Sequence, residues 1–114
     1  MIKVIVMVKR KSGLSIEEFS QYWYEKHAPL ALRMTLAHLR PKRYVHNYSV
    51  HPGGVEEPAF DGIAELYFDD METLLKSNEW YLGDEGKVLR DDEEKFVDTT
   101  TRVALLVEER VIVP

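Results

Sequence analysis

The sequence predicts an α+β domain with element order β-α-β-β-α-β, and three observations carry that prediction. Runs rich in β-branched residues stand at both ends, IKVIVMVK at Ile2–Lys9 and TTTRVALLVEERVIV at Thr99–Val113. Two further alternating runs, KRYVHNYSV at Lys42–Val50 and DGIAELYF at Asp61–Phe68, flank a Pro-Gly-Gly loop. Helical periodicity fills the intervals after the first and third of these runs. Such an order gives a four-stranded antiparallel sheet with both helical segments on one face, the ferredoxin-like or split βαβ plan.

Each element has its own local reason. The first strand is apolar on both sides, Ile2, Val4, Val6 and Val8 against Ile5 and Met7, so both sides need cover. Arg10–Gly13 is a basic turn. The helix from Ser15 to Leu36 starts with a capping box, Ser15 and Glu18, and a hydrophobic staple, Leu14 and Phe19. Phe19, Trp23 and His27 recur at i, i+4, i+8, and Leu30, Ala31 and Met34 continue the stripe. Pro29 removes a backbone donor and bends or interrupts the helix just after His27. The helix ends between Leu36 and Arg40, before Pro41.

His51–Phe60 is a long loop. Asp69 or Asp70 caps the next helix, whose first turns are METLLKS. Asn78–Gly86, with Trp80, Tyr81 and two glycines, is expected to interrupt or reshape it, and helical character returns over Asp84–Asp98 with Val88, Leu89, Phe96 and Val97 inward. Glu108–Arg110 marks a bend in the last strand before Val111–Val113. The chain reads as one domain, residues 1–114.

Composition narrows the function classes. A hydrophobic share of 45% and a charged share of 31% describe a globular chain with a real core. The net charge of −5 argues against a nucleic-acid binder. With no cysteine, disulfides, thiolate metal sites and cysteine nucleophiles are excluded, which fits a reducing, cytoplasmic setting. No apolar run approaches the roughly 20 residues that span a bilayer, so no membrane partner is expected. The helix-free sheet face is apolar as well, and a second copy packed sheet on sheet with two-fold symmetry is the economical cover. Val111–Val113 would reach across to that partner's sheet.

His27 is the leading chemical candidate, because an imidazole can act as base and then acid near neutral pH. Its competing reading is a buried structural histidine. Tyr44, His46 and Tyr48 share one strand face, and Glu65 and Tyr67 stand on the neighbouring strand. If that face meets His27, a substrate pocket of imidazoles, phenols and a carboxylate results; if it meets the partner, the same groups are interfacial. Register decides, and register is not visible in sequence. Glu65 in a strand must be paired, protonated or solvated; Arg43 or Arg102 is a candidate partner.

Trp23 and Trp80 are candidate pocket walls, Trp80 in a stretch able to act as a lid. Asp61 fits a turn role better than catalysis, and His38 and His51 fit solvent. No HxH or HxxxH spacing pre-organises a metal site from His27, His46, His51 or Glu65, and no P-loop or GxGxxG is present. Asp91-Asp92-Glu93-Glu94 reads as a solvated helix face.

KSGLSIEEFSQYWYEKHAPLA at Lys11–Ala31 resembles the signature of the EthD-type dimeric α/β-barrel proteins, and DGIAELYFDDMETL at Asp61–Leu74 resembles their second block. The resemblance implies a ferredoxin-like fold dimerised into an α/β barrel. Proteins similar to this family include methylmuconolactone isomerases and fungal dehydratases and cyclases. They act without metal or organic cofactor on small hydrophobic molecules with acidic protons. In the lactone isomerases a histidine stands where His27 does; those enzymes also use a cysteine, which this chain lacks.

The resulting expectation is a homodimeric, cofactor-independent lyase (dehydratase) or isomerase. It would enolise a small hydrophobic carbonyl or lactone, with His27 as general acid/base and Trp23, Tyr44, His46, Glu65, Tyr67 and Trp80 around the substrate. The alternatives are a small-molecule binding or accessory protein using the same pocket and, less directly, a cofactor-free monooxygenase.

Overall fold

The β-branched run at the start of the chain becomes β1 (Ile2–Val8), an inner strand of a four-stranded sheet. The computed structural model of the protein describes residues 1–50 and 56–114. After β1 come α1 (Ile16–Tyr22), a π-helical turn (Trp23–His27), α2 (Ala28–Met34) and a 3-10 turn (Ala37–Leu39). Then follow β2 (Arg43–Tyr48), β3 (Gly62–Phe68), α3 (Met71–Leu82), α4 (Lys87–Glu93) and β4 (Val103–Glu108). The sheet order is β2-β3-β1-β4, antiparallel throughout, which is the ferredoxin-like topology. His51 and Gly53-Gly54 of the expected loop lie outside the described residues.

The register settles which side chains share a face. Val4, Val6 and Val8 point toward the helices, and their β3 partners Leu66, Ala64 and Gly62 point the same way. The pairing continues into β2 through Tyr44, His46 and Tyr48. The other face carries Lys3, Ile5 and Met7, then Tyr67, Glu65 and Ile63 across β3. The core proper is small and aromatic: Phe19, Trp23 and Phe96 close on Val8, Ala64 and Val97.

The first helix starts as its sequence dictates. The Glu18 N–H donates to Ser15 Oγ and the Ser15 N–H to Glu18 Oε1, both at 3.0 Å. Pro29 does not end the helix; the interruption is a π turn, in which the Ala28 N–H reaches back five residues to the Trp23 carbonyl. A proline ring clashes with the carbonyl four residues earlier, here that of Glu25, and the wider turn opens that spacing. The helix stops at Met34, before Leu36.

In the second helical region Asp70 caps α3 by accepting from the Thr73 N–H at 2.7 Å. The interruption expected within Asn78–Gly86 falls at its glycine end: α3 runs through Trp80 and Tyr81 to Leu82 and stops at Gly83, and α4 starts after Gly86. Leu74, Ser77 and Tyr81 recur at helical spacing on the face turned to the sheet, so packing holds the helix together there. The helix after it ends early, at Glu93 rather than Asp98. Beyond it the chain pairs with the end of the first strand, where the Lys11 N–H donates to the Phe96 carbonyl and the Asp98 N–H to the Lys9 carbonyl, each at 2.8 Å. β4 likewise stops at Glu108, and Val111–Val113 is exposed.

Asp61 is a structural anchor: it is buried, and its carboxylate accepts from the Arg10 guanidinium at 2.7 Å and the Arg10 N–H at 2.8 Å. Among the described residues no helix is long and apolar enough to cross a membrane.

Gly62 marks where the helix meets the sheet most closely. A Cβ there would lie 2.4 Å from Trp23 Cζ3 and 3.1 Å from the Asn47 carbonyl oxygen. Gly62→Ala is therefore expected to displace the Trp23 indole and lower stability by about 1–3 kcal/mol. Urea unfolding followed by tryptophan fluorescence checks it.

Candidate functional site

The π turn delivers Trp23 and His27 to the sheet side of the first helix, where both are buried. Trp23 stacks on His46, ring centroids 3.8 Å apart and planes 18° from parallel. The His46 ring nitrogens bond the two tyrosines that flank it in β2, Nε2 to the Tyr44 hydroxyl at 2.7 Å and Nδ1 to the Tyr48 hydroxyl at 2.8 Å. Burial, with the His27 charge adding to it, pulls the His46 imidazole down to about 4, so it is neutral at physiological pH. A neutral ring donates from one nitrogen and accepts at the other, which suits two hydroxyl neighbours.

His27 finds its partners on α4. Its Nδ1 lies 2.9 Å from Asp92 Oδ2, and its Nε2 lies 3.4 Å from Glu93 Oε2. The Tyr22 hydroxyl donates to the other Asp92 oxygen at 2.6 Å. Glu93 Oε1 accepts from the Tyr81 hydroxyl and from Arg102 Nη1, the latter at 2.7 Å. Burial pulls the His27 imidazole down, but the hydrogen bonds and charges of Glu93 and Asp92 push harder, leaving it above its ordinary 6.5. Burial pushes both carboxyls up; His27 and Tyr81 hold Glu93 below its ordinary value, and Tyr22 and His27 hold Asp92 below its own. Burial and the Glu93 charge push the Tyr81 phenol up, so it stays a donor.

This cluster stands on the wall of a cavity of about 340 Å³ between helices and sheet. His27, Glu93, Tyr81, Arg102 and Tyr44 are among its polar groups, with Thr35, Arg40, Ser77 and Asn78 elsewhere on the lining, and Trp23 and Trp80 are among the walls. Trp80 sits within α3, its indole N–H donating to Glu85 at 2.8 Å. The remaining lining is largely aliphatic and aromatic, with Val4, Val6 and Leu66 from the sheet and Leu74 and Phe96 above it. Such a chamber can hold a small apolar molecule and exchange protons with it at one end.

Glu65 and Tyr67 are not in this group. The strand pairing turns them to the opposite sheet face, where Lys3 Nζ lies 2.6 Å from Glu65, 2.8 Å from Glu109 and 3.2 Å from the Tyr67 hydroxyl. The partner of Glu65 is thus Lys3, not Arg43 or Arg102; Arg102 serves Glu93 instead. His38 is exposed. Among the described residues no group of three or more His, Asp or Glu side chains is arranged to hold a metal ion.

The family described as EthD domain matches residues 11–100. The chain belongs to the EthD family. Solved EthD relatives share its fold. An ethyl tert-butyl ether D (EthD) family protein from Bacillus halodurans C-125 superposes with a TM-score of 0.69 at 24% identity, over 96% of this chain and 99% of that one. An EthD-like protein from Ralstonia eutropha JMP134 gives 0.65 at 18% identity, over 98% and 92%. A dimeric protein of unknown function and ferredoxin-like fold from Bacteroides fragilis NCTC 9343 gives 0.61 at 14% identity, over 95% of each chain. No curated protein matches the chain.

Within this EthD chain, the acidic run Asp91–Glu94 differs most from its sequence reading. Asp92 and Glu93 are turned inward onto His27, while Asp91 and Glu94 are exposed. One signal was available: Leu89, Asp92, Glu93 and Phe96 recur at i, i+3, i+4, i+7, the spacing of a buried face. Tyr81 and Arg102 carried no comparable mark.

The ion cluster makes stability depend on pH with a definite sign. His27 titrates higher folded than unfolded, so its contribution is complete below 6.5 and is lost as pH rises through the folded value. Asp92 and Glu93 titrate lower folded, so theirs is lost only as pH falls below their ordinary values. The stability gap between wild type and His27→Gln is expected to be full below pH 6.5 and to shrink as pH rises through the folded His27 titration. Urea titrations at a series of pH values measure it.

Proposed function

We propose that this protein is a cofactor-independent lyase or isomerase that enolises a small, apolar carbonyl or lactone molecule, with His27 exchanging the proton. One observation carries the reading: a buried histidine held between two carboxylates on the wall of a largely apolar cavity. A histidine kept only for packing needs no such pair, and paired buried charges facing a cavity mark acid–base sites. The cavity volume suits a small ring system. Trp23, Tyr44 and Trp80 would contact the substrate, with His46 holding the Tyr44 hydroxyl from behind. Glu65 and Tyr67 have no part in this chemistry.

The working unit in this reading is a homodimer. Ile5, Met7, Val45, Ile63, Leu105 and Val107 share the face away from the helices, and Leu105 is 50% exposed. An apolar sheet face of that kind is best covered by a second sheet. That the Bacteroides fragilis protein is dimeric supports a dimer here.

Two experiments test the reading. Proton exchange at the α-carbon of small cyclic ketones and lactones, followed by NMR in heavy water, is expected to be accelerated by wild type. His27→Ala should lose about 10²–10⁴ of that acceleration while its circular dichroism stays unchanged. Full activity in the variant overturns the role of His27, and tight binding without exchange favours a binding protein. In light scattering the protein should run at about twice the 13.3 kDa chain mass, and Leu105→Glu should reduce it to one chain.

A further inference from the structure

We propose that Glu93 is the base of this site and His27 the acid, an assignment that rests on the enolisation reading above. His27 Nδ1 faces Asp92 Oδ2 and His27 Nε2 faces Glu93 Oε2. Ionised carboxylates only accept, so a ring protonated on both nitrogens is the form that suits a carboxylate on each side. An imidazolium has no lone pair with which to take a proton. Glu93 does: a carboxylate offers about four acceptor sites, and the neighbours on it are His27 Nε2, the Tyr81 hydroxyl and Arg102 Nη1. Glu93 also lines the cavity, so its free site is open to a substrate.

Charge balance agrees. Among the buried side chains, Asp92 and Glu93 are matched by the Arg102 guanidinium and a protonated His27. Of the other titratable groups around it, Lys95 adds a positive charge that solvent screens, its side chain being 66% exposed. Tyr22 from α1 and Tyr81 from α3 are neutral donors, Tyr44 and His46 from β2 are neutral, and Lys95 lies 3.6 Å from Asp92 on the solvent side. The cavity walls from β1 and β3 are apolar.

The step balances within the site. Glu93 takes the proton from the substrate α-carbon as that C–H bond breaks. Its electron pair forms the C=C bond while the carbonyl π pair moves to oxygen. That oxygen takes the Nε2 proton of His27 and becomes the enol hydroxyl. Glu93 is left neutral and His27 neutral, 3.4 Å apart, and transfer of the proton from Oε2 to Nε2 restores both. Arg102 and Tyr81 are positioning residues that keep Glu93 ionised and aimed.

Nitrogen-15 NMR of wild type at pH 7 should show His27 protonated on both nitrogens. In Glu93→Gln its titration should fall, and α-proton exchange should drop at least about 100-fold. The wild-type pH profile, which needs no variant, separates the roles. With Glu93 as base, exchange falls as pH rises through the His27 titration; with His27 as base it rises through the same range. A neutral His27 at pH 7, a rising profile, or exchange in Glu93→Gln within threefold of wild type overturns the assignment of roles alone. No exchange by wild type on any compound overturns the enolisation reading beneath it.

Discussion

A buried imidazole needs partners for both ring nitrogens, and most of what is distinctive about this protein follows from how His27 meets that requirement. Its two partners come from one short helix sixty-odd residues away, so the pairing ties the first helical segment to α4 across the top of the sheet. Aromatic packing supports the same junction, since Phe96 lies against Phe19, Tyr22 and His27. Two adjacent acidic residues on a helix point about 100° apart, which lets them approach two different ring nitrogens. The geometry of the cluster is thus a property of helix periodicity as much as of charge.

The π turn belongs to the same device. Trp23 and His27 define its ends, and it carries the helix past Pro29 without letting the chain leave the sheet. Trp23 is fixed on its far side by His46, and that stack needs the absence of a side chain at Gly62. Backbone interruption, aromatic stack and ion cluster lie within two turns of one another. Each constrains the next, and the cavity is the space that they jointly leave.

The two sheet faces show how one strand pattern serves two purposes. Inward positions of β1, β2 and β3 build the cavity floor and its phenol–imidazole ladder. Outward positions build a separate polar knot, Lys3 with Glu65, Tyr67 and Glu109, inside an apolar surround. Lys3 is buried by that knot even without a partner subunit. Grouping Glu65 and Tyr67 with His46 failed for a simple reason. Side chains alternate along a strand, and the partner of His46 in β3 is Ala64, one residue from Glu65.

Local chemistry alone determined a good deal of this protein. The capping box at Ser15, the cap at Asp70, the four strands, and the inward stripe Phe19–Trp23–His27 are all short-range consequences of residue type and spacing. So is the disturbance at Pro29, although not its form as a π turn. What surrounds His27 was decided by tertiary structure. Four consecutive acidic residues look alike in sequence, and only the docking of α4 on the first helix turns Asp92 and Glu93 inward. Tyr81 reaches the site because packing against the sheet carries α3 as far as Leu82 before the chain breaks at Gly83, and Arg102 because the last strand begins beside Glu93. Contacts between residues far apart in the chain depend on register and docking angle, and neither leaves a trace in local composition.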